Sequence, residues 1–255
     1  MLAGGAAAVH SVARVHGWAG VSAGSIIAAA KAFAVSDEGI RHALERVLSS
    51  GSALSVDPSG LSRGGLFSLE GLRTEIDAMI GPGRTMGDAL TPLVIVVTDL
   101  DTGTPYYLSK RHHPRVSVAE AVLASSSFMS GVTPARTIPS LGTSLSPDIR
   151  LWGDGGLTDN TADHVFDNFP YPRVHVRCTP DHEISRVRDG DTLGIALAQV
   201  RAMLFAQGTI KSRRDDGHVV DVGRSGWDFV KSPDRVVREW GQGYDAARRG
   251  LDEWL

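Results

Sequence analysis

The string Gly20-Val21-Ser22-Ala23-Gly24 runs without a break into the helix-forming stretch Ser25-Ile26-Ile27-Ala28-Ala29-Ala30-Lys31-Ala32-Phe33. A G-x-S-x-G pattern sets its serine on a sharp turn from a strand into a helix, with the hydroxyl exposed and backbone N–H groups beside it. The string therefore demands a strand before it and a helix after it. The first N–H groups of that helix have no intrahelical acceptor, and they favour the negative charge that an alkoxide or a tetrahedral oxyanion carries. A second short string, Asp154-Gly155-Gly156, lies further along. By itself it reads as a surface turn, and with 29 glycines in 255 residues neither string is specific alone. Their weight comes from what lies between them.

Leu93-Val94-Ile95-Val96-Val97-Thr98-Asp99-Leu100-Asp101-Thr102-Gly103 is an apolar strand that ends in a turn. Val118-Ala119-Glu120-Ala121-Val122-Leu123-Ala124-Ser125-Ser126 and Thr133-Pro134 follow, shortly before Trp152-Gly153-Asp154-Gly155-Gly156. A serine elbow, a strand with D-x-x-T-G, an A-V-x-A-S helix, a proline and Asp-Gly-Gly in this order resemble the patatin-like phospholipases. The resemblance covers residues 17–165 and extends loosely to Trp227-Asp228-Phe229 and Gly243-Tyr244-Asp245-Ala246-Ala247.

The resemblance implies a lipid acyl hydrolase with a serine–aspartate dyad, in which Ser22 is the nucleophile and Asp154 the general base. A serine hydroxyl is a poor nucleophile until a positioned base takes its proton. An unperturbed Asp, with a pKa of about 3.9, is a weak base, so burial or tight geometry must compensate. Gly155 and Gly156 let the chain turn tightly beside Asp154, and Gly20 and Gly24 complete the elbow. Ala23 N–H is the expected oxyanion donor, since the residue after an elbow nucleophile commonly serves there. The family also carries a first strand and a G-G-G-x-[RK]-G loop that forms the rest of the oxyanion hole. The chain here begins Met1-Leu2-Ala3-Gly4-Gly5-Ala6-Ala7-Ala8, with two adjacent glycines and no basic residue. Aligning His10–Gly17 to the family's first helix puts the loop at or before Met1, so it is expected to be truncated or degenerate. Gly4 and Gly5 are donors only if this segment forms the loop.

Two other readings stand beside this one. A patatin-like module with an impaired oxyanion loop would bind lipid or protein without turnover, and an acyltransferase would pass the acyl group to an acceptor other than water. A histidine triad, Ser22…Asp154…His175 or His182, satisfies the chain order of α/β-hydrolases. In that fold, however, several strands precede the elbow, and fewer than about twenty residues precede Gly20 here.

Helical spacing of apolar residues appears in Ile40–Leu48, Leu69–Ile80, Leu193–Phe205 and Val236–Trp254. Strands are expected at Leu93–Thr98, Tyr106–Leu108, Ile149–Trp152 and Arg173–Arg177. Strands alternating with helices predict a three-layer α/β/α arrangement with a mostly parallel central sheet covered on both faces. Ser49–Gly65, Leu141–Asp148 and Gln207–Gly226 read as loops. Residues 1–255 read as a single patatin-like domain, a normal size for one α/β unit.

The net charge of −3 argues against a generic nucleic-acid binder, and no apolar run approaches the ~18 residues needed to span a bilayer. With no basic stretch ahead of the apolar residues 1–9, no signal peptide is expected, and the cytoplasm is the default location. The expected partner is a lipid ester, met by peripheral contact with a membrane or micelle. Lone Cys178 follows Val174-His175-Val176 and reads as a half-buried structural thiol. Arg111-His112-His113-Pro114 lacks the spacing and acidic companions of a metal site. No metal or organic cofactor is expected.

Overall fold

The computed structural model describes residues 1–50, 55–56, 67–127, 151–180, 218–225 and 231–254. In chain order these form α1 (Leu2–Val12), β1 (Trp18–Val21), α2 (Ala23–Ala32), α3 (Asp37–Ser50), β2 (Ser55–Val56), β3 (Phe67–Ser68), α4 (Glu70–Ile80), β4 (Leu93–Asp99), β5 (Thr104–Ser109), α5 (Val118–Ser125), β6 (Trp152–Asp154), β7 (Val174–Pro180), β8 (His218–Ser225) and α6 (Pro233–Asp252). The expected helix at Leu193–Phe205, the loop at Leu141–Asp148, Thr133-Pro134, His182 and Trp227-Asp228-Phe229 lie outside the described residues.

All seven residues of β4 are buried, as the unbroken apolar run requires of a central strand. Leu93, Ile95 and Val97 face one way, where Ala28 and Ala32 of α2, Ile76 of α4 and Val122 of α5 close over them. The alternate residues face the other way. There Thr98 Oγ1 reaches Thr158 Oγ1 at 2.8 Å, and Tyr107, paired with Val96, donates to Asp159 Oδ2 at 2.8 Å. The D-x-x-T-G turn closes a hairpin through Gly103 at φ 67, so β5 runs antiparallel to β4. β1 pairs with β4 in parallel and β6 pairs antiparallel. The described sheet is thus mixed, and the expected parallel pairing holds for β1 with β4 and for β7 with β8.

The register around β4 decides where the turns fall. Val94 to Asp99 are taken up on one edge by β5. On the other edge β1 occupies Leu93–Val96 and β6 occupies Val97–Asp99. Val21 stands opposite Val96 and Asp154 opposite Val97. The two strands run toward each other along a single edge and end one residue step, about 3.3 Å, apart. Neither can continue without colliding with the other.

The first helix departs from the sequence expectation. It spans Leu2–Val12, not His10–Gly17, and it contains Gly4 and Gly5. A Cβ on Gly4 would overlap the backbone of Trp240 in α6, and one on Gly5 would press on Val176 and Val222. Gly243 is bare for the same reason, against Met1. Small residues on α1 and α6 thus let the first and last described helices pack closely, with Ala8, Val9, Val220, Val222, Ala247 and Leu251 forming an apolar cluster there. The tail of the expected Gln207–Gly226 loop is instead β8, because Val220 and Val222 alternate inward against β7 and α1. β6 sits slightly later than the expected strand, at Trp152–Asp154.

Helices α5 and α6 start on side-chain caps. Ser117 accepts from Glu120 N at the start of α5, and Ser232 accepts from Arg235 N ahead of Pro233 in α6. α2 ends in a Schellman motif, with Val35 N bonded to Ala30 O and Ala34 N to Lys31 O, both at 3.0 Å. The left-handed position carries Ala34 at φ 57, where glycine would be unstrained. Ala34→Gly is therefore expected to raise the unfolding free energy by about 0.5–1 kcal/mol, after allowing for glycine's greater freedom in the unfolded chain. Urea unfolding of the two proteins measures it.

Candidate active site

Ser22 is the residue at which β1 turns into α2, and it takes φ 51 and ψ −127. The turn is possible because Gly20 has no side chain: a Cβ there would overlap the Gly24 carbonyl and come within 2.6 Å of Ser25 Cα. Gly24 meets no such obstacle, with open space where a Cβ would project. At the facing strand end, Asp154 leaves β6 for a single 3₁₀ turn over Gly155–Leu157. A Cβ on Gly155 would overlap the Val96 carbonyl, so this turn also needs its glycine.

The two strand ends bring the side chains together. Ser22 Oγ donates to Asp154 Oδ2 at 2.6 Å, within the short range of hydroxyl–carboxylate bonds. Gly156 N–H donates to the other oxygen, Oδ1, at 2.8 Å. The Asp154 backbone is held as well, with its N–H on Ser127 O at 3.2 Å and its carbonyl accepting from Thr98 Oγ1 at 2.7 Å. Only 2 % of Asp154 is exposed. Burial pushes its carboxyl up to about 6, against the opposing pull of the Ser22 and Gly156 hydrogen bonds. A carboxylate with that affinity for a proton can accept one from a hydroxyl 2.6 Å away near neutral pH.

Ser22's own peptide groups point into the protein. Its N–H donates to Ser125 Oγ at 2.9 Å. Its carbonyl accepts from Ser25 N at 2.8 Å and Ser25 Oγ at 2.6 Å. Ala23 opens α2, so its N–H has no intrahelical acceptor and stands beside Ser22. Gly4 and Gly5 are not brought into this group. They lie inside α1 against α6, β7 and β8, and Gly5 N–H is bonded to Met1 O at 3.0 Å. The condition set for them as oxyanion donors, that this segment form the loop, is not met: they are helix-packing glycines.

Among the described residues the histidine alternative rests on His175, and the geometry gives it no support. His175 Nδ1 lies 3.5 Å from Asp163 Oδ1, while both Asp154 oxygens are engaged by Ser22 and Gly156. His113 is tied to Tyr106 Oη at 3.1 Å and to Ser109 N at 3.2 Å, and burial lowers its pKa. Among the described residues no group of three His, Cys, Asp or Glu side chains is placed to hold a metal ion. Cys178 lies in β7 with its thiol pushed up to about 11 by burial, which leaves it unreactive near neutral pH. Sequence reading missed Ser25, Thr98 and Ser125 as parts of the site. Ser125 closes the A-V-x-A-S run, but nothing in the run says which way its hydroxyl turns.

A family model described as patatin-like phospholipase matches residues 3–167. No curated protein matches the chain. Among solved structures, VipD from Legionella pneumophila is similar with a TM-score of 0.55 at 14 % identity, over 98 % of this chain and 64 % of that one. The chain thus spans less than two thirds of VipD's length, and the likeness is one of fold. That fold is a three-layer α/β/α arrangement with a mixed sheet. Among the described residues no helix is long and apolar enough to cross a membrane. Because the match takes in well over half of the sequence, from α1 through the turn that follows Asp154, the chain belongs to the patatin-like phospholipase family.

Proposed function

We propose that the chain hydrolyses carboxylic esters of lipids through a Ser22–Asp154 dyad, and that residues 1–255 act as one patatin-like domain. The observation that carries the reading is the 2.6 Å bond from Ser22 Oγ to a buried carboxylate raised to about 6. Family membership supplies the substrate class, lipid esters. The packing of α6 on α1 supports a single domain.

Ser22 Oγ attacks the ester carbonyl carbon as its proton passes to Asp154 Oδ2. The tetrahedral oxyanion takes the Ala23 N–H at the positive end of α2. Collapse breaks the ester C–O bond, and the leaving alcohol recovers the proton from Asp154. Water then gives a proton to Asp154 and attacks the acyl carbon; the C–Oγ bond breaks, Asp154 returns the proton to Ser22 Oγ, and the fatty acid leaves. The substrate is met at the surface of a membrane or micelle, and the cytoplasm is the proposed site of action. The second reading, a module that binds lipid or protein without turnover, draws on the position of Gly4 and Gly5 inside α1, where they add nothing to an oxyanion hole.

Intact-mass labelling with a fluorophosphonate, followed by peptide mapping, separates the two. A single adduct on Ser22 that is absent from Ser22→Ala is expected, and no adduct on the native chain would overturn the hydrolase reading. Asp154→Asn should lower kcat by about 10²–10⁴-fold, the usual worth of a general base. Ester hydrolysis should also fall on the acid side with a midpoint near 6, because protonated Asp154 cannot accept from Ser22. An acid limb near 4 would contradict this.

The same carboxylate burdens the fold. Its folded pKa, about 6, lies above the ordinary value of 3.8, so the folded protein binds this proton more tightly than the unfolded chain. The resulting cost is full above pH 6, shrinks as pH falls through that window, and is gone below 3.8. At about 1.4 kcal/mol per unit it amounts to roughly 3 kcal/mol. Asp154→Asn should therefore be more stable than the native protein at pH 8, by about 1–3 kcal/mol, with the gain fading toward pH 4. Chemical denaturation at the two pH values reads it.

A further inference from the structure

Ser22 at φ 51 occupies a backbone region that favours glycine, and a side-chain-bearing residue persists there only when its surroundings over-determine it. Its N–H is met by Ser125 and its carbonyl by Ser25, both with 0 % exposure, and Ser126 Oγ reaches the same carbonyl at 3.4 Å. Ser25 answers the carbonyl from within the same helix, as any first-turn residue could. Ser125 is different: it is 103 residues away, at the C-terminal end of α5, and its Oγ accepts the Ser22 N–H at 2.9 Å. Serines at helix ends commonly bond back to the carbonyl four residues earlier, as neighbouring Ser127 does to Leu123 O at 2.7 Å. Ser125, whose oxygen keeps its lone pairs whatever its O–H donates to, offers one of them to the elbow. α5 is in turn pinned by its Ser117 cap and by the burial of Val118, Ala121 and Val122, so the acceptor is presented from a fixed helix.

We propose that Ser125 is a positioning residue for the nucleophile. By taking the Ser22 N–H it turns that peptide inward, which fixes the elbow conformation and leaves Oγ aimed at Asp154. It also assigns the oxyanion donors: the nucleophile's own N–H is occupied, so the donor next to the acyl carbon is Ala23 N–H. The inference rests on the reading of Ser22 as the nucleophile, and its test includes a readout that does not need turnover.

That readout is hydrogen exchange of the Ser22 amide, followed in the native protein, Ser125→Ala, Ser125→Thr and Ser125→Cys. In Ser125→Ala the Ser22 amide should exchange at least ~10-fold faster, while amides inside α2 such as Ile27 and Ala28 keep their native rates. Fluorophosphonate labelling and kcat should fall by about 10–100-fold, as for a misaimed reacting group. KM should move by less than about twofold and the acid limb should keep its midpoint, since Asp154 is untouched. Ser125→Thr retains the acceptor and should restore both rates to within about threefold of native. Ser125→Cys, close in volume but a weak acceptor, should fall between, and it serves if the alanine variant does not fold. Unchanged exchange at Ser22 in both the alanine and cysteine variants would overturn the proposal, as would a general rise across α2, which marks a merely structural serine. If the native chain takes no label, the hydrolase reading falls and exchange still decides the positioning. If it labels and Ser125→Ala labels at the native rate, the positioning falls and the hydrolase reading stands.

Discussion

A β-strand has two edges, and on β4 one of them is shared end to end by β1 and β6. This sharing is the constraint on which the site depends. Two strands advancing along one edge from opposite directions must both stop where they meet. Backbone sterics then force each to leave the sheet, β1 into α2 and β6 into a 3₁₀ turn. The residues at the two exits are Ser22 and Asp154. Their contact is fixed by the pairing register of β4, whose interior burial makes a slip costly. A one-residue slip would turn Leu93, Ile95 and Val97 out of the cluster they form with α2, α4 and α5. The hydrophobic pattern of a single strand thus sets the distance between a hydroxyl and a carboxylate 132 residues apart.

That arrangement concentrates unfavourable terms in a small volume. Ser22 holds a strained backbone, Asp154 is nearly dehydrated, and Gly20 and Gly155 allow backbone contacts that a methyl group would block. Each costs on the order of one to a few kcal/mol, and none persists unless neighbours hold it. The neighbours are mostly hydroxyls: Ser25 and Ser125 on the elbow, Thr98 and Thr158 under the Asp154 peptide. Hydroxyls suit the task because one atom can accept and donate, and they satisfy buried peptide groups without adding a charge that would pull the carboxyl back down. The described hydrogen-bond partners of Asp154 are neutral, and that is why burial dominates its proton affinity.

How much of this was legible depended on whether the information is local. The elbow, the turn at Asp-Gly-Gly and the buried β4 were readable because each is written in consecutive residues: glycines where backbones approach, and an unbroken apolar run in the centre of a sheet. The order of those strings also carried the family. Three things were not readable, for one physical reason. The antiparallel sense of β5 and β6, the seating of Gly4 and Gly5 against α6, β7 and β8, and the turn of the Ser125 hydroxyl toward Ser22 are all set by partners far away in sequence. A Gly-Gly pair looks the same whether it makes room for an anion or for a helix. β8 was lost to the polar residues around it, although Val220 and Val222 already alternate.

The seating of α1 has an electrostatic corollary for the proposed mechanism. With Gly5 N–H spent inside the helix and Ser22 N–H spent on Ser125, the start of α2 offers N–H groups, among the described residues, that can meet an oxyanion. A helix N-terminus carries roughly half a positive charge, and its influence falls off within the first turn. It acts on whatever anion is near, first on the Asp154 carboxylate and then on the oxyanion that replaces it as the proton moves. Transfer of that proton from Ser22 to Asp154 neutralises one anion as the other forms, so net charge beside α2 is conserved through the attack. The helix then needs no reorganisation between ground and transition states. In the proposed mechanism, a preorganised dipole serves both anions in turn, which is the form of electrostatic stabilisation that asks least of the surrounding donors.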